Sequence, residues 1–278
     1  MKRVLLPTDF SDGAWNAIQY AVMLLQHKKC TFYILNVFSV PFTTANMMAP
    51  EPGNPSYDEA SKKSNEKLKI ILKKLKSKEN PRHHFILESK NNFLIDAINN
   101  IVEQNAIDLI IMGTKGVKNI KGTSYGSNAV AVMEKTMNCP VVVVPEKANF
   151  KGLKEVVFPT SYEFASKSGE IKTFIDFIKD YESTIKVLHI NENEELSNTQ
   201  IENKKLLEEK LSGLEYTVHA LTNIEPALGV SCFAQSREAD LIALVNRKHS
   251  FFYRLMEKQT LKGISHYSNI PLLIMHHS

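Results

Sequence analysis

The sequence predicts an α/β protein of two tandem halves, each a five-stranded parallel sheet covered by helices. Three observations carry that expectation. Short apolar runs alternate with amphipathic stretches along the chain, the pattern of strand–helix–strand units. The runs are nearly continuous in apolar character, as strands buried on both faces are. Three stretches also recur in the same order: "RVLLPTDFS" (3–11) as "EVVFPTSYE" (155–163), "IDLIIMGTK" (107–115) as "ADLIALVNR" (239–247), and "NCPVVVVP" (138–145) as "NIPLLIMH" (269–276). A tandem duplication is the simplest account. Its boundary falls in 146–154, where "EKANFKG" is polar and carries a glycine, so domains are expected at 1–146 and 153–278.

In the first half, "RVLLPT" is strand one. Residues 12–27 carry Ala14, Ala17, Ile18, Ala21, Leu24 and Leu25 at helical spacing, with Ser11 or Asp12 as cap. "TFYILNVF" (31–38) is strand two, and 39–56, with four prolines and a glycine, is a loop. Residues 57–78 form a helix with an apolar stripe of Leu68, Ile71, Leu72 and Leu75 and its lysines facing water. "HHFILES" (83–89) is strand three, and 91–105 is a helix with Phe93, Leu94, Ala97, Ile98, Ile101 and Val102 inward. "DLIIMG" is strand four, 128–137 the last helix and "PVVVVP" strand five. The second half repeats this, with strands near 155–159, 185–190, 214–221, 240–245 and 271–275.

Composition narrows the class. The chain has 278 residues, 43% hydrophobic and 23% charged, which suits a globular protein with a sizeable core. A net charge of +4 is small for that length and argues against a nucleic-acid partner, which wants a concentrated basic face. Cys30, Cys139 and Cys232 form no C-x-x-C pair. Neither a zinc site nor a disulfide framework is expected, and reduced thiols fit the cytoplasm. The apolar run of "MKRVLLPTDFSD" stops at Pro7, too soon for a secretion signal, and no other segment reaches membrane-spanning length. Adjacent strand residues point to opposite faces, so His83-His84 and His276-His277 are poor chelators and no metal site is expected.

The stretch "DLIIMGTKGVKNIKGTSYGSNA" (108–129) is where the chemistry gathers. In an open parallel sheet, ligands bind beyond the carboxyl ends of the strands, where strand order reverses. Gly113 and Gly116 let backbone pass close to a ligand. Gly126-Ser127 opens a helix, whose free N–H groups and dipole favour an anion, with phosphate the natural guest. Pro7-Thr8-Asp9 ends strand one. A carboxylate there repels phosphate but suits a ribose hydroxyl or adenine amino group. A nucleotide meets both demands. The Walker pattern and the G-x-G-x-x-G fingerprint are both missing, so the spacing G-x-x-G, nine residues, G-S is a different motif.

On "LLPTDFS", "LNV" (35–37), "DLIIMGTKG", "YGSNA" and "CPVVVVP" the chain resembles the universal stress protein family in its tandem-domain form, over nearly its whole length. The resemblance implies a Rossmann-like sheet of order 3-2-1-4-5 in each half. Strands one and four are then neighbours at the reversal point, with Asp9 and Gly113 facing one crevice. It implies ATP, with Mg²⁺ as a companion; AMP, ADP and a cyclic dinucleotide stay open beside it. Asp9 and Val37 would meet the adenosine end, Val37 mainly through its backbone, with Pro7 and Thr8 beside them. Met112, Gly113 and Thr114 would line the crevice, and Gly116, Gly126, Ser127 and Asn128 would hold the phosphates. Lys115 or Lys118 would add a point charge, though neither belongs to the signature.

The second half departs from this pattern. Aligning Asp108 with Asp240 puts Val245 at the place of Gly113 and Lys248 at that of Gly116. Aligning Pro140 with Pro271 puts Glu257 and Lys258 where Gly126 and Ser127 stood, and Asp9 becomes Ser161. No nucleotide is expected there, and "HSFFYRLM" (249–256) reads as a plug of the lost site. The resemblance further implies that the fifth strands, 141–144 and 272–275, pair antiparallel within one chain to form a pseudo-dimer, with a homodimer as a further option.

The bland readings are that Asp9 closes a turn, that Ser127 caps a helix, and that Trp15, Phe38 and Cys139 only pack. The expected function is a cytoplasmic ATP-binding stress protein. It would act as a sensor or regulatory module with nucleotide in the first half only, since the cradle lacks an evident catalytic base. One alternative is a slow ATPase or nucleotidyl transferase, which would draft Asp12 or Glu134 to orient water or acceptor. The other is a nucleotide-free scaffold whose glycines merely turn the chain.

Overall fold

The computed structural model of the chain describes residues 1–40, 52–77, 80–114, 125–136, 139–163, 169–191, 195–246 and 269–276. The first half contains β1 (Lys2–Pro7), α1 (Asp12–Leu24), β2 (Cys30–Phe38), α2 (Pro55–Lys76), β3 (His83–Asn91), α3 (Leu94–Asn105), β4 (Leu109–Gly113), α4 (Ser127–Lys135) and β5 (Val141–Val144). The second contains β6 (Glu155–Thr160), α5 (Gly169–Ile178), β7 (Thr184–Asn191), α6 (Asn198–Leu211), β8 (Tyr216–Thr222), α7 (Pro226–Ser236), β9 (Leu241–Asn246) and β10 (Leu272–His276).

Local chemistry fixes the helix starts. Ser11 caps α1 by accepting from the Ala14 N–H. Asn54 caps α2, and Pro55 at its first turn needs no N–H partner, so the helix begins earlier than the loop composition suggests. Helix α3 corrects the expectation for Phe93. That residue is the N-cap, outside the helical stripe, and is 77% exposed.

The ten strands found among the described residues join one sheet, in the order β3-β2-β1-β4-β5-β10-β9-β6-β7-β8. The expected pair of five-stranded sheets is therefore one continuous sheet. The join is β5 against β10, antiparallel, with Val143 opposite Leu272, Val142 opposite Leu273 and Val141 opposite Ile274. The other pairings are parallel. The physical reason is that β5 is four valines, all buried, which as an edge would leave backbone groups unpaired.

Strand alternation divides the core into two layers. Val4, Leu6, Val142 and Val144 face α1, α2, α5 and α6 through Ile18, Leu68, Phe174 and Leu207. Leu5, Val141 and Val143 face α3, α4 and α7 through Ile98, Val132 and Val230. Residues 146–154 are not a solvated tether. Ala148 and Leu153 are buried, Phe150 meets the Tyr20 ring edge-on at 5.4 Å, and Asn16 Nδ2 donates to the carbonyls of Pro145 and Ala148.

Several local devices occur once in each half. Asp108 accepts from the Arg3 N–H at 2.7 Å, and Asp240 from the Lys154 N–H at 2.8 Å. Ala106 and Glu238 both adopt positive φ just after α3 and α7. No helix among the described residues is long and apolar enough to cross a membrane.

Candidate functional site

The register Val4–Leu109 and Leu5–Ile110 sets β1 beside β4 with their carboxyl ends together, at the point where strand order reverses. Beyond β1 the chain is tied down residue by residue. The Thr8 N–H donates to Leu35 O at 2.8 Å, and Thr8 Oγ1 accepts from the Phe10 N–H at 3.1 Å. Phe10 adopts the left-handed region at φ 68°. Asp9 Oδ1 accepts from the Ser11 N–H at 3.1 Å and from Ser11 Oγ at 2.6 Å, and Ser11 in turn caps α1. Half-buried Asp9 thus shapes the turn into α1, the bland role foreseen for it.

Beyond β4, Gly113 answers to a different constraint from the one its motif suggests. A Cβ built on it would lie 2.8 Å from Gly13 O and 2.9 Å from Gly13 C. The room it leaves is filled by the first turn of α1, not by open crevice. The Thr114 N–H donates to Val144 O at 3.0 Å, and Thr114 O accepts from the Gly126 N–H at 2.7 Å. Gly126 is the N-cap of α4 in extended conformation, with no side-chain capping bond among the described residues. Its own N–H is spent on Thr114, so the donors that α4 can offer begin with the first turn, where Ser127 and Asn128 are exposed.

Two helices therefore start at the carboxyl end of β4: α1 packed on Gly113, and α4 pinned through Gly126 to Thr114. Their dipoles point the same positive ends at one place. The structure brings together Thr8, Asp9, Gly113, Thr114 and Gly126 around these strand ends. Pro7 and Met112 are buried, Met112 within the layer of α3 and α4 and not on an open wall. Val37 is half-buried near the end of β2. Lys115, Gly116 and Lys118 lie outside the described residues, as do Lys248, Glu257, Lys258 and the segment 249–256. Glu134 stands in the last turn of α4, at the opposite end of that helix from the site, and Asp12 is exposed.

One set of residues was not anticipated. Asn36 Nδ2 donates to Thr8 O at 2.7 Å, Ser64 Oγ donates to Asn36 Oδ1 at 2.8 Å, and Ser64 and Ser89 share a bond of 2.7 Å. This buried chain ties β1, β2, β3 and α2 together beneath the Thr8-Asp9 turn. A polar residue inside the apolar run "TFYILNVF" is its sequence signal, because a buried amide must find partners. The lysines of α2 are exposed, as their pattern predicts, and two of them also stand over aromatic rings. Lys67 Nζ stands 5.0 Å over the Phe10 ring and Lys74 Nζ 5.2 Å over that of Trp15. Lys67 thereby sets a positive charge at the margin of the site.

The second half keeps the scaffold and changes the groups. The Tyr162 N–H donates to Thr160 Oγ1 at 3.1 Å with Tyr162 at φ 54°, as Phe10 does with Thr8. His189 Nδ1 meets Thr160 O at 2.8 Å where Asn36 meets Thr8 O. At the end of β9, Val245 is half-buried against the core. Ser161 Oγ donates to Glu163 Oε2 at 3.2 Å and accepts from the Glu163 N–H at 3.4 Å, the counterpart of the Asp9–Ser11 pair with carboxylate and hydroxyl exchanged.

Among the described residues, no group of three or more His, Cys, Asp and Glu could hold a metal ion. Cys139 is buried, its thiol donating to Ile107 O, and burial pushes its pKa up to about 12.

The profile of the universal stress protein family matches residues 1–145. A universal stress protein of Methanocaldococcus jannaschii is 29% identical over 145 residues, 51% of this chain and 81% of the relative. Among solved structures, a universal stress protein from Archaeoglobus fulgidus matches with a TM-score of 0.69 at 17% identity, covering 99% of this chain and 96% of that one. A functionally unknown protein from Pseudomonas aeruginosa matches with a TM-score of 0.60 at 11% identity, covering 100% of this chain and 93% of its own. At such identities the two structures speak for the fold alone.

Proposed function

Since the chain belongs to the universal stress protein family, we propose that its first half binds ATP beyond β1 and β4 and that the protein works as a nucleotide-dependent regulatory module of the cytoplasm. The observation that carries this reading is the meeting of two helix starts at Gly113 and Thr114, where strand order reverses. Two positive dipole ends and the donors of the first turn of α4 suit a polyphosphate. Ser127, Asn128 and, in the adjoining loop, Gly116 with Lys115 or Lys118 would hold the phosphates. Asp9 and the Val37 backbone would take the adenosine. A carboxylate accepts about four hydrogen bonds, so the turn to Ser11 and a ribose hydroxyl are compatible. Helix α4 has no acidic residue in its first turn, so Mg²⁺ would come with the phosphates rather than to a protein cage.

On the same reading, 1–146 and 153–278 are tandem copies that form a pseudo-dimer through β5 and β10, and the second copy takes no nucleotide. The repeated turns at Thr8 and Thr160, the repeated Asp108 and Asp240 bonds and the mirrored strand order support it.

The test has two arms. Nucleotide released by denaturing freshly purified protein is identified by chromatography, and ATP is titrated by calorimetry into the protein and into Gly126→Asp. An aspartate at that extended N-cap favours the helix over glycine by about a few tenths of a kcal/mol while repelling phosphate. We expect ATP affinity to fall more than tenfold with α4 intact. Neither co-purified nucleotide nor measurable binding by the unaltered protein would defeat the reading.

One observation favours the scaffold alternative: Gly113 and Asp9 both have structural work independent of a ligand. A melting temperature indifferent to millimolar ATP would support it, because a ligand specific to the folded form raises that temperature.

A further inference from the structure

The last residues of β9 and β10 do not end in the second half. Asn246 Nδ2 donates to Met133 O at 2.9 Å and reaches Glu134 O at 3.4 Å. The His276 ring lies between two more carbonyls, Nε2 at 2.8 Å from Met133 O and Nδ1 at 3.1 Å from Cys139 O. Met133 and Glu134 belong to the last turn of α4. The final carbonyls of a helix have no partner within it, and its dipole is negative there. Donors from the second half therefore meet the acceptor end of α4. The antiparallel seam makes this geometry: with Ile274 opposite Val141, the carboxyl end of β10 lies beside the amino end of β5, just after α4 has finished.

Helix α1 is treated alike. The Tyr181 hydroxyl donates to Leu24 O at 2.9 Å, at the last residue of α1, and Lys28 just beyond pairs with Asp180. The two helices whose amino ends meet at Gly113 and Thr114 are thus both held at their carboxyl ends by residues of the second half. Asn246 also has a telling place. Six residues beyond Asp240, it corresponds to Thr114, six beyond Asp108. Thr114 pins the start of α4 through the Gly126 N–H, and its counterpart pins the end of the same helix.

We infer that Asn246 and His276 are positioning residues for the nucleotide: the second half has turned the strand ends that would face a ligand of its own into a clamp that holds α4 in line for the ligand of the first. This rests on the nucleotide reading given above. A nine-residue helix spans roughly 13 Å at 1.5 Å per residue, so the clamp acts on the phosphates through the rigid body of α4 without touching them.

The experiment measures ATP affinity by calorimetry and melting temperature by circular dichroism on the full chain. The variants are Asn246→Ala, His276→Leu, His276→Gln and, as a control, Asn203→Ala. Asn203 is a buried second-half residue that donates to Tyr162 O at 2.8 Å, away from α4. We expect Asn246→Ala and His276→Leu each to weaken ATP three- to tenfold. His276→Gln, which keeps a donor for Met133, should recover most of that loss. Asn203→Ala should lower the melting temperature and leave affinity within twofold. Unchanged affinity in folded Asn246→Ala and His276→Gln, with no loss in His276→Leu, overturns the inference, as does an equal loss in Asn203→Ala. If His276→Leu does not fold, Asn246→Ala decides alone. If the unaltered protein binds no ATP, the nucleotide reading fails and takes this inference with it; binding that ignores the clamp variants sinks the inference only.

Discussion

At Gly113 a single missing carbon decides how a helix seats. The sequence marks this glycine as special, because it ends an apolar strand and opens a glycine-spaced motif. It does not reveal the reason. The atoms that forbid a Cβ belong to Gly13, a hundred residues earlier, and no local pattern reports so distant a contact. Gly113→Ala is expected to destabilise the protein by about 1–3 kcal/mol, since backbone at 2.8 Å cannot yield as a flexible side chain would. Denaturant unfolding measures it, and a loss below about 0.5 kcal/mol would show that α1 shifts freely. Gly113→Val, which copies the second half, would strain the fold and is no clean probe of binding. Asn36 was the opposite case. Its signal was present as a lone amide in an apolar strand, but its partners Ser64 and Ser89 come from α2 and β3 and only the fold assembles them.

At the scale of elements, order and type were legible and the ends less so. Strand runs and helical stripes follow from burial, which periodicity reports directly. Where α3 begins depends on Phe93 facing solvent, which hydrophobicity alone does not tell. The tail of α4 carries a consequence for pH. Both neighbours of the His276 ring are carbonyl oxygens, which only accept, so both contacts are hydrogen bonds only in the doubly protonated ring. Burial is the larger influence and lowers the pKa below 6.5, with the two carbonyl bonds opposing it. No charged side chain among the described residues enters that balance; the buried Cys139 thiol stays protonated beside it. A lowered histidine pKa means that the folded state binds fewer protons than the unfolded one. Its stability is therefore complete above the unfolded value of 6.5 and declines as pH falls toward the folded one. His276→Gln should flatten the stability profile between pH 5 and 7 in chemical denaturation. A wild-type profile that instead rises on acidification would mean that the doubly bonded imidazolium prevails.

At the scale of the molecule, three matched stretches were legible in the residues themselves, whereas the antiparallel joining of 141–144 with 272–275 was expected only through the family resemblance, since strand pairing between distant segments leaves no mark in local pattern. The seam also makes a prediction. Residues 1–146 alone would bare the Val141–Val144 edge, which β10 covers in the whole chain. That fragment should sediment as a dimer at micromolar concentration, and a stable monomer would mean that the edge protects itself. The seam's position within one polypeptide has a last consequence. In a homodimer, an altered residue appears on both sides of the axis and in both sites. Here Val141 and its partner Ile274 are encoded separately, so one side can lose its chemistry while the other is preserved. On the tandem reading proposed above, covalent fusion removes the symmetry that would otherwise oblige the two copies to evolve together, and leaves each free to specialise.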